Sequence, residues 1–283
     1  MFQSFPEFGW RYCNPKMGLS GWEFKGASNL KELHRILKRL GMVRRLKKDV
    51  LPQMDLGDQR IVPLPLTNRT EYNRADRDFI NWRALYSKDL DNKSKMQRAA
   101  RYKALRDLAV AGKMKYFYQW LDNFLETTDE KIVLGCWHKK VINEIYNKYK
   151  HTGLYYHGGL QRHKQKNIVR TFQNDKKKRI LVAQIKAIGL GQTLTAANHI
   201  AFIELPFDPG DVTQFIDRIR RIGQTKKCNI LYFIGTHTIE HMLCRVLQQS
   251  QKVLNQLLDG NENIEGMNLD IYDMLEREIR KRC

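Results

Sequence analysis

Gln214, Arg218 and Arg221 stand four and then three residues apart in the segment QFIDRIRRIGQ. If that segment is helical, positions i, i+4 and i+7 share a face, and one carboxamide and two guanidiniums point the same way. Two arginines on one face after a strand suit a triphosphate. Each fork can bind phosphate oxygens in a bidentate manner, and a guanidinium brought to a transferring γ-phosphoryl group stabilises its charge. A solvated basic helix would carry the same residues, since Arg220 lies on another side. Upstream, Gly189 and Gly191 flank Leu190. Such a turn lets backbone approach a phosphate or another domain closely, although Gly-x-Gly alone is a weak signal. A third constellation is His237, Glu240 and His241, an H-x-x-E-H order whose two histidines would share a helix face as zinc ligands do. A helix start after the last strand accounts for the same residues without metal, and no metal site is expected.

These residues need a scaffold, and 283 residues suffice for one large domain or one and a half. The chain is 42% hydrophobic and 10% aromatic, enough for a real core. Lys and Arg number 50 against 30 Asp and Glu, a net charge of +20 that points to a polyanionic partner, most simply nucleic acid. A basic membrane-surface or RNA-binding protein would share that charge. No apolar run approaches the ~18 residues of a membrane span, and MFQSFPEFGWRYCNP lacks the regions of a signal peptide. Cys13, Cys136, Cys228, Cys244 and Cys283 are odd in number and widely spaced. They predict neither a disulfide framework nor a zinc ribbon, and an intracellular setting is expected.

From about Lys113 onward, short apolar runs alternate with helical patterns. Strands are predicted at Lys131–Cys136, Leu154–His157, Arg179–Ala183, His199–Leu205 and Asn229–Gly235, with helices near 138–150, 162–173, 211–222 and 236–258. Nearly continuous apolar strands separated by helices predict a parallel sheet covered on both faces. The first part reads as mostly helical: Leu30, Leu33, Ile36, Leu37 and Leu40 form one stripe, and Asn68 with Glu71 has the spacing of a helix start. Ile61–Leu66 carries two prolines, which predict an edge or linker strand. Lys93, Lys95, Arg98, Arg101, Lys103, Arg106, Lys113 and Lys115 stand against the single acid Asp107, either a solvated helix face or a nucleic-acid contact. A further helix is possible at Leu269–Arg282.

The stretch Ala183–Gln224 resembles motifs V and VI of superfamily two helicases, and QFIDRIRRIGQ looks like the motif VI of Swi/Snf-type ATPases. The likeness extends to KIVLGCWHKKVINEI (131–145), to YYHGGLQRHKQKNIVRTFQND (155–175) and to MVRRLKKDVLPQM (42–54), which resembles the segment joining the two motor lobes. FGWRYCNPK and CWHKK favour the annealing-helicase, fork-remodelling branch. The resemblance covers roughly residues 5–258 in motif order. It implies an α/β fold: a RecA-like parallel sheet with helices on both faces, the second helicase lobe, at 111–258. A helical protrusion and inter-lobe linker would occupy 1–110, and a polar tail 259–283. It further implies ATP-driven tracking on DNA, with Arg218 and Arg221 as arginine fingers and Gly189, Gly191 and Gln214 shaping the nucleotide cleft. His138, Lys139, His157, Gly158, Gly159 and Lys186 occupy family positions facing the DNA backbone. Such contacts would be salt-sensitive and largely blind to sequence.

Two departures qualify that expectation. Gln184-Ile185 stands where many members carry Ser or Ser-Thr before the motif V lysine. The family's first lobe also brings a Gly-x-x-x-x-Gly-Lys-[Ser/Thr] loop and an Asp-Glu-x-His box. Here Gly112-Lys113 is followed by Met114, and Asp129-Glu130 runs straight into KIVLGC. The expectation is therefore the C-terminal half of a motor, using ATP and Mg2+ only with a polypeptide that supplies the first lobe. The alternative is a non-catalytic DNA-binding or motor-regulating module that keeps the fold.

Overall fold

The structure is a computed structural model and describes residues 4–18, 21–24, 26–45, 57–85, 92–188 and 191–259. Gly189, most of the 42–54 segment and the Leu269–Arg282 helix prediction lie outside the described residues. Two compact units are present: Met1–Leu46 with Asp76–Lys103 and Met242–Cys283, and Lys47–Ala75 with Ala104–His241.

The larger unit is built on a six-stranded, wholly parallel sheet. Its strands are β3 (Gln59–Leu64), β4 (Ile132–Cys136), β5 (Gly153–Tyr156), β6 (Ile180–Gln184), β7 (His199–Phe202) and β8 (Asn229–Gly235), in the order β3-β8-β7-β4-β6-β5. Every strand read from the apolar runs is present. The proline-bearing run forms β3 at the sheet edge, where Pro63 interrupts no central ladder. Parallel neighbours require crossovers, and α5 (Lys139–Lys148), α6 (Arg162–Asn174), α7 (Ile185–Ile188) and α8 (Pro209–Ile216) supply them. Phe117, Leu121, Ile132, Leu134, Ile142, Ile180 and Phe233 share one core with essentially no exposure. Each such side chain contributes about 1.5–3 kcal/mol on burial. This is the RecA-like arrangement expected.

Two buried cations organise the helix that approaches this sheet, α4 (Asn92–Thr127). Lys113, fully buried, donates to Glu240 Oε1 at 2.5 Å and to the Phe233 carbonyl at 2.7 Å. Glu240 Oε2 in turn accepts the Gly235 amide at 2.8 Å, so both carboxylate oxygens are taken. Arg106 is buried as well, donating to the Leu205 carbonyl at 2.7 Å with its guanidinium 4.5 Å above the Phe207 ring. The basic run at 93–115 is thus not one solvated face: two of its members anchor the fold from inside, and the side chains of Lys93, Lys95 and Arg98 lie outside the described ones. α3 (Arg69–Leu85) starts where the Asn68–Glu71 spacing places it, the Tyr72 amide bonding the Asn68 carbonyl at 3.0 Å. The Asn68 side-chain nitrogen donates across to the Leu108 carbonyl at 3.0 Å, and Thr67 bonds the Gly112 carbonyl.

The H-x-x-E-H order does not form a two-histidine helix face. His237 sits in the left-handed region at φ 52° and precedes α9 (Ile239–Asp259), while Glu240 is committed to Lys113. The smaller unit holds α1 (Phe5–Tyr12), the β1–β2 hairpin (Lys16–Gly18, Gly21–Glu23) and α2 (Leu30–Arg39), whose Glu32 faces α1. That carboxylate accepts a fork from Arg11, both bonds at 2.8 Å, and the Tyr12 hydroxyl at 2.7 Å. Among the described residues, no helix is long and apolar enough to cross a membrane.

Two outcomes test this packing. Glu240→Ala leaves the Lys113 ammonium buried without its partner and should lower stability by about 3–5 kcal/mol in a urea titration. At the opposite, N-terminal edge of the sheet, Glu130 accepts from His199, from Asn198 at 3.0 Å and from Lys226 at 3.2 Å. Burial pushes its carboxyl up, but these three donors outweigh it and hold it at about 2, below its ordinary 4.5. A carboxyl depressed on folding stabilises the native state above its unfolded pKa, and that contribution fades as pH falls through the folded value. The thermal midpoint should therefore drop between about pH 5 and 2, and Glu130→Gln should flatten that drop in scanning calorimetry.

Candidate functional site

All six strands of the large sheet point their C-terminal ends to one edge. The chain leaves β6 on one side of β4 and returns at β7 on the other. Crevices at such a reversal are where open parallel sheets bind ligands. The loops after β4, β5, β6 and β7 meet there, and they carry most of the expected site residues.

Glu204 is the centre of this edge. It follows β7 at 2% exposure, and its Oε2 accepts the backbone amides of Trp137 and His138, each at 2.8 Å. Its Oε1 lies 2.6 Å from His138 Nδ1. Burial pushes the Glu204 carboxyl up, but the His138 ring and the two amides prevail and hold it below its ordinary value, so it is a carboxylate. His138 is the residue before α5, and Lys139, exposed, opens that helix. Gln184 ends β6 and joins two loops: its Oε1 accepts the Gly158 amide at 3.2 Å, and its Nε2 reaches the Trp137 carbonyl at 3.4 Å. The Gly159 amide donates to His157 Nδ1 at 3.1 Å. Lys186 is exposed, 5.1 Å above the Trp137 ring and 3.9 Å from Asp211. The half-buried Trp137 is thus covered by an ammonium.

His138, Lys139, His157, Gly158, Gly159 and Lys186 therefore lie on adjoining loops of one edge. Sequence reasoning overlooked Glu204 and read Gln184 only as a departure. The signal for both was a polar residue at the C-terminal end of an apolar run, Gln184 in ILVAQ and Glu204 in IAFIEL.

The arginines are placed by a different device from the one expected. The helix does not run to 222; α8 ends at Ile216. Beyond it the bonds tighten to i→i−3, from the Arg218 amide to Phe215 and from the Ile219 amide to Ile216, each at 3.1 Å, and the Arg218 carbonyl accepts the Leu194 amide at 2.8 Å. Arg218 folds back, its Nε donating to the Gln214 carbonyl at 3.0 Å and its Nη1 to the Gln192 carbonyl at 3.4 Å. Arg221 donates to the Thr193 hydroxyl at 2.8 Å. Both guanidiniums are thus held on the loop that begins at Gly191, whose φ of 76° falls in the left-handed region. Neither makes an ion pair among the described residues, although Arg218 is only 8% exposed. Burial first, and then the charge of Arg221, lower the Arg218 pKa.

Comparison with known proteins fits this geometry. Residues 112–223 match the helicase conserved C-terminal domain. The chain is 30% identical to the SWI/SNF-related matrix-associated actin-dependent regulator of chromatin subfamily A-like protein 1 of Xenopus tropicalis, over 98% of this chain and 31% of that protein. It is 29% identical to the DNA annealing helicase and endonuclease ZRANB3 of Bos taurus, over 92% of this chain and 25% of that one. The chain thus spans about a third or less of these relatives. In fold it is similar to the Sulfolobus solfataricus SWI2/SNF2 ATPase core in complex with dsDNA, with a TM-score of 0.60 and 21% identity over 98% of this chain and 60% of that one.

The Gly191 conformation yields a separate outcome. A methyl group there would meet nothing within 4 Å, so only backbone strain opposes it. Gly191→Ala should cost about 1–2 kcal/mol in a urea titration, with the far-UV spectrum unchanged.

Proposed function

We propose that this chain, which carries a helicase C-terminal domain of the Swi/Snf type and resembles the C-terminal half of annealing helicases, is the second lobe of an ATP-driven motor on duplex DNA. In this reading ATP lies between the edge described above and a first lobe. That lobe belongs to the rest of a longer protein or to a separate polypeptide. Arg218 and Arg221 reach its γ-phosphate, with Gly189, Gly191 and Gln214 bordering the nucleotide. The loops of His157, Lys139 and Lys186 lie along the DNA backbone. A DNA substrate also implies an intracellular setting.

The observation that carries the reading is the pair of neighbouring guanidiniums, neither in an ion pair among the described residues. Arg218 is buried with the charge of Arg221 against it and only that of Asp217 in its favour, so an arriving anion would offset the cost of holding the two together. A triphosphate fits: it is anionic, its oxygens match the guanidinium fork, and charge develops on it during transfer. No group of three His, Cys, Asp or Glu among the described residues could hold a metal ion. The magnesium accompanying ATP would therefore be held by the first lobe and the phosphates. Lys139, Lys186 and the net charge of +20 support attraction to a polyanion, with binding that weakens steeply with salt.

DNA-stimulated ATP hydrolysis by this chain joined to or mixed with a Swi/Snf first lobe tests the assignment. Arg218→Ala and Arg221→Ala should each lower turnover about 10³- to 10⁵-fold while duplex affinity stays within about twofold. Unchanged turnover in both variants would remove the arginines from the reaction and leave a DNA-binding module.

A further inference from the structure

Two histidines on the same sheet edge are held through opposite partners. A backbone amide can only donate, so the 3.1 Å bond from the Gly159 amide requires a lone pair on His157 Nδ1. The His157 proton must then sit on Nε2. A carboxylate can only accept, so the 2.6 Å contact of His138 Nδ1 with Glu204 requires the proton on Nδ1. Its Nε2 is then a lone pair whenever the ring is neutral. Neither Nε2 has a partner among the described residues, and both rings are partly exposed. Gln184 ties the two loops together through Gly158 and Trp137.

We propose that these contacts fix where the ring protons sit on the DNA-facing edge: the Gly159 amide makes His157 a neutral Nε2–H donor to a backbone phosphate, beside the charged Lys139, whereas Glu204 holds the His138 proton on Nδ1. Glu204 and the Gly159 amide are the positioning groups that set the two tautomers. The inference rests on the DNA-binding reading above for its ligand, but not for its tautomers.

Lys139 and His157 converge on Gly159. A methyl group at Gly159 would come within 3.0 Å of Lys139 Nζ and 3.2 Å of His157 Nδ1. A phosphate on this corner meets one ammonium and one neutral N–H. Burial, and then the charge of Lys139, push the His157 pKa down, in keeping with a neutral ring. The charged groups around this corner are Lys139 at the start of α5, and Arg162, His163 and Lys164 at the start of α6.

The distinction is measurable because only charge releases counter-ions. Each phosphate neutralised by a cation contributes about 0.9 to the slope of log K against log salt, and a neutral hydrogen bond contributes none. Duplex-DNA affinity of the full chain should be measured across a salt series. Lys139→Ala should flatten the slope by about one. His157→Ala should weaken binding about 2- to 10-fold at every salt concentration with the slope unchanged. Long-range 1H–15N spectra of the same chain at neutral pH should show His157 protonated on Nε2 and His138 on Nδ1. Glu204→Gln, which presents an amide N–H to that ring, should move the His138 proton to Nε2. A slope change in His157→Ala equal to that of Lys139→Ala, or either ring in the other tautomer, overturns the proposal. If the wild-type chain shows no salt-dependent duplex binding, the DNA reading and the phosphate role of His157 both fail, and the spectra still decide the tautomers.

Discussion

In the larger unit every strand runs in the same direction, and a parallel sheet covered by its own crossover helices leaves little room for polar chemistry within its layers. The faces are consumed by the core around Phe117, Leu134 and Phe233. Loops from four strands must therefore meet at the C-terminal edge, where strand carbonyls and the first amides of the next helices lose their ladder partners. Glu204 and Gln184 answer that need. The carboxylate takes the amides of Trp137 and His138, and the carboxamide takes the amide of Gly158 while reaching back to the Trp137 carbonyl. What makes the edge stable is also what fixes the orientation of its side chains.

Charge inside this unit follows two opposed patterns. Lys113 is fully neutralised by Glu240 and a carbonyl, and that closed arrangement joins α4 to the end of β8. Arg218, also buried, donates to the carbonyls of Gln214 and Gln192 and makes no ion pair among the described residues, with the charge of Arg221 against it and that of Asp217 in its favour. Breaking the first arrangement would damage the fold. The second is the arrangement that, in the function proposed above, an incoming anion would complete, and residue type alone could not have told the two cations apart.

The strands were legible because a strand buried on both faces must be apolar along its whole length, and few other contexts demand this. Pro63 and Pro65 likewise foretold an edge, since a central strand would lose ladder bonds. Less legible was anything set by a partner distant in sequence. The helical pattern continues past Ile216, but the backbone there tightens into i→i−3 turns and the Arg218 carbonyl pairs with the distant Leu194 amide. The basic run from 93 to 115 reads as a surface, yet Lys113 and Arg106 point to acceptors more than ninety residues away. His237 and His241 have helical spacing, but His237 lies in the left-handed region before the helix begins.

Gln184 shows how a departure from a family pattern can preserve a site by other means. A hydroxyl at the end of β6 would be too short to bridge two loops, whereas a carboxamide carries an acceptor and a donor on one planar group and reaches both. The longer side chain thereby takes up the Gly158 amide, which a phosphate could otherwise use. In the reading proposed above, anion recognition then falls to its neighbours, His157 Nε2 and Lys139. A histidine in a sequence states only that a donor and an acceptor share one ring. Which of them faces the ligand is decided by Gly159 in one case and by Glu204 in the other, so the polarity of this edge belongs to its hydrogen bonds rather than to the identities of the residues on it.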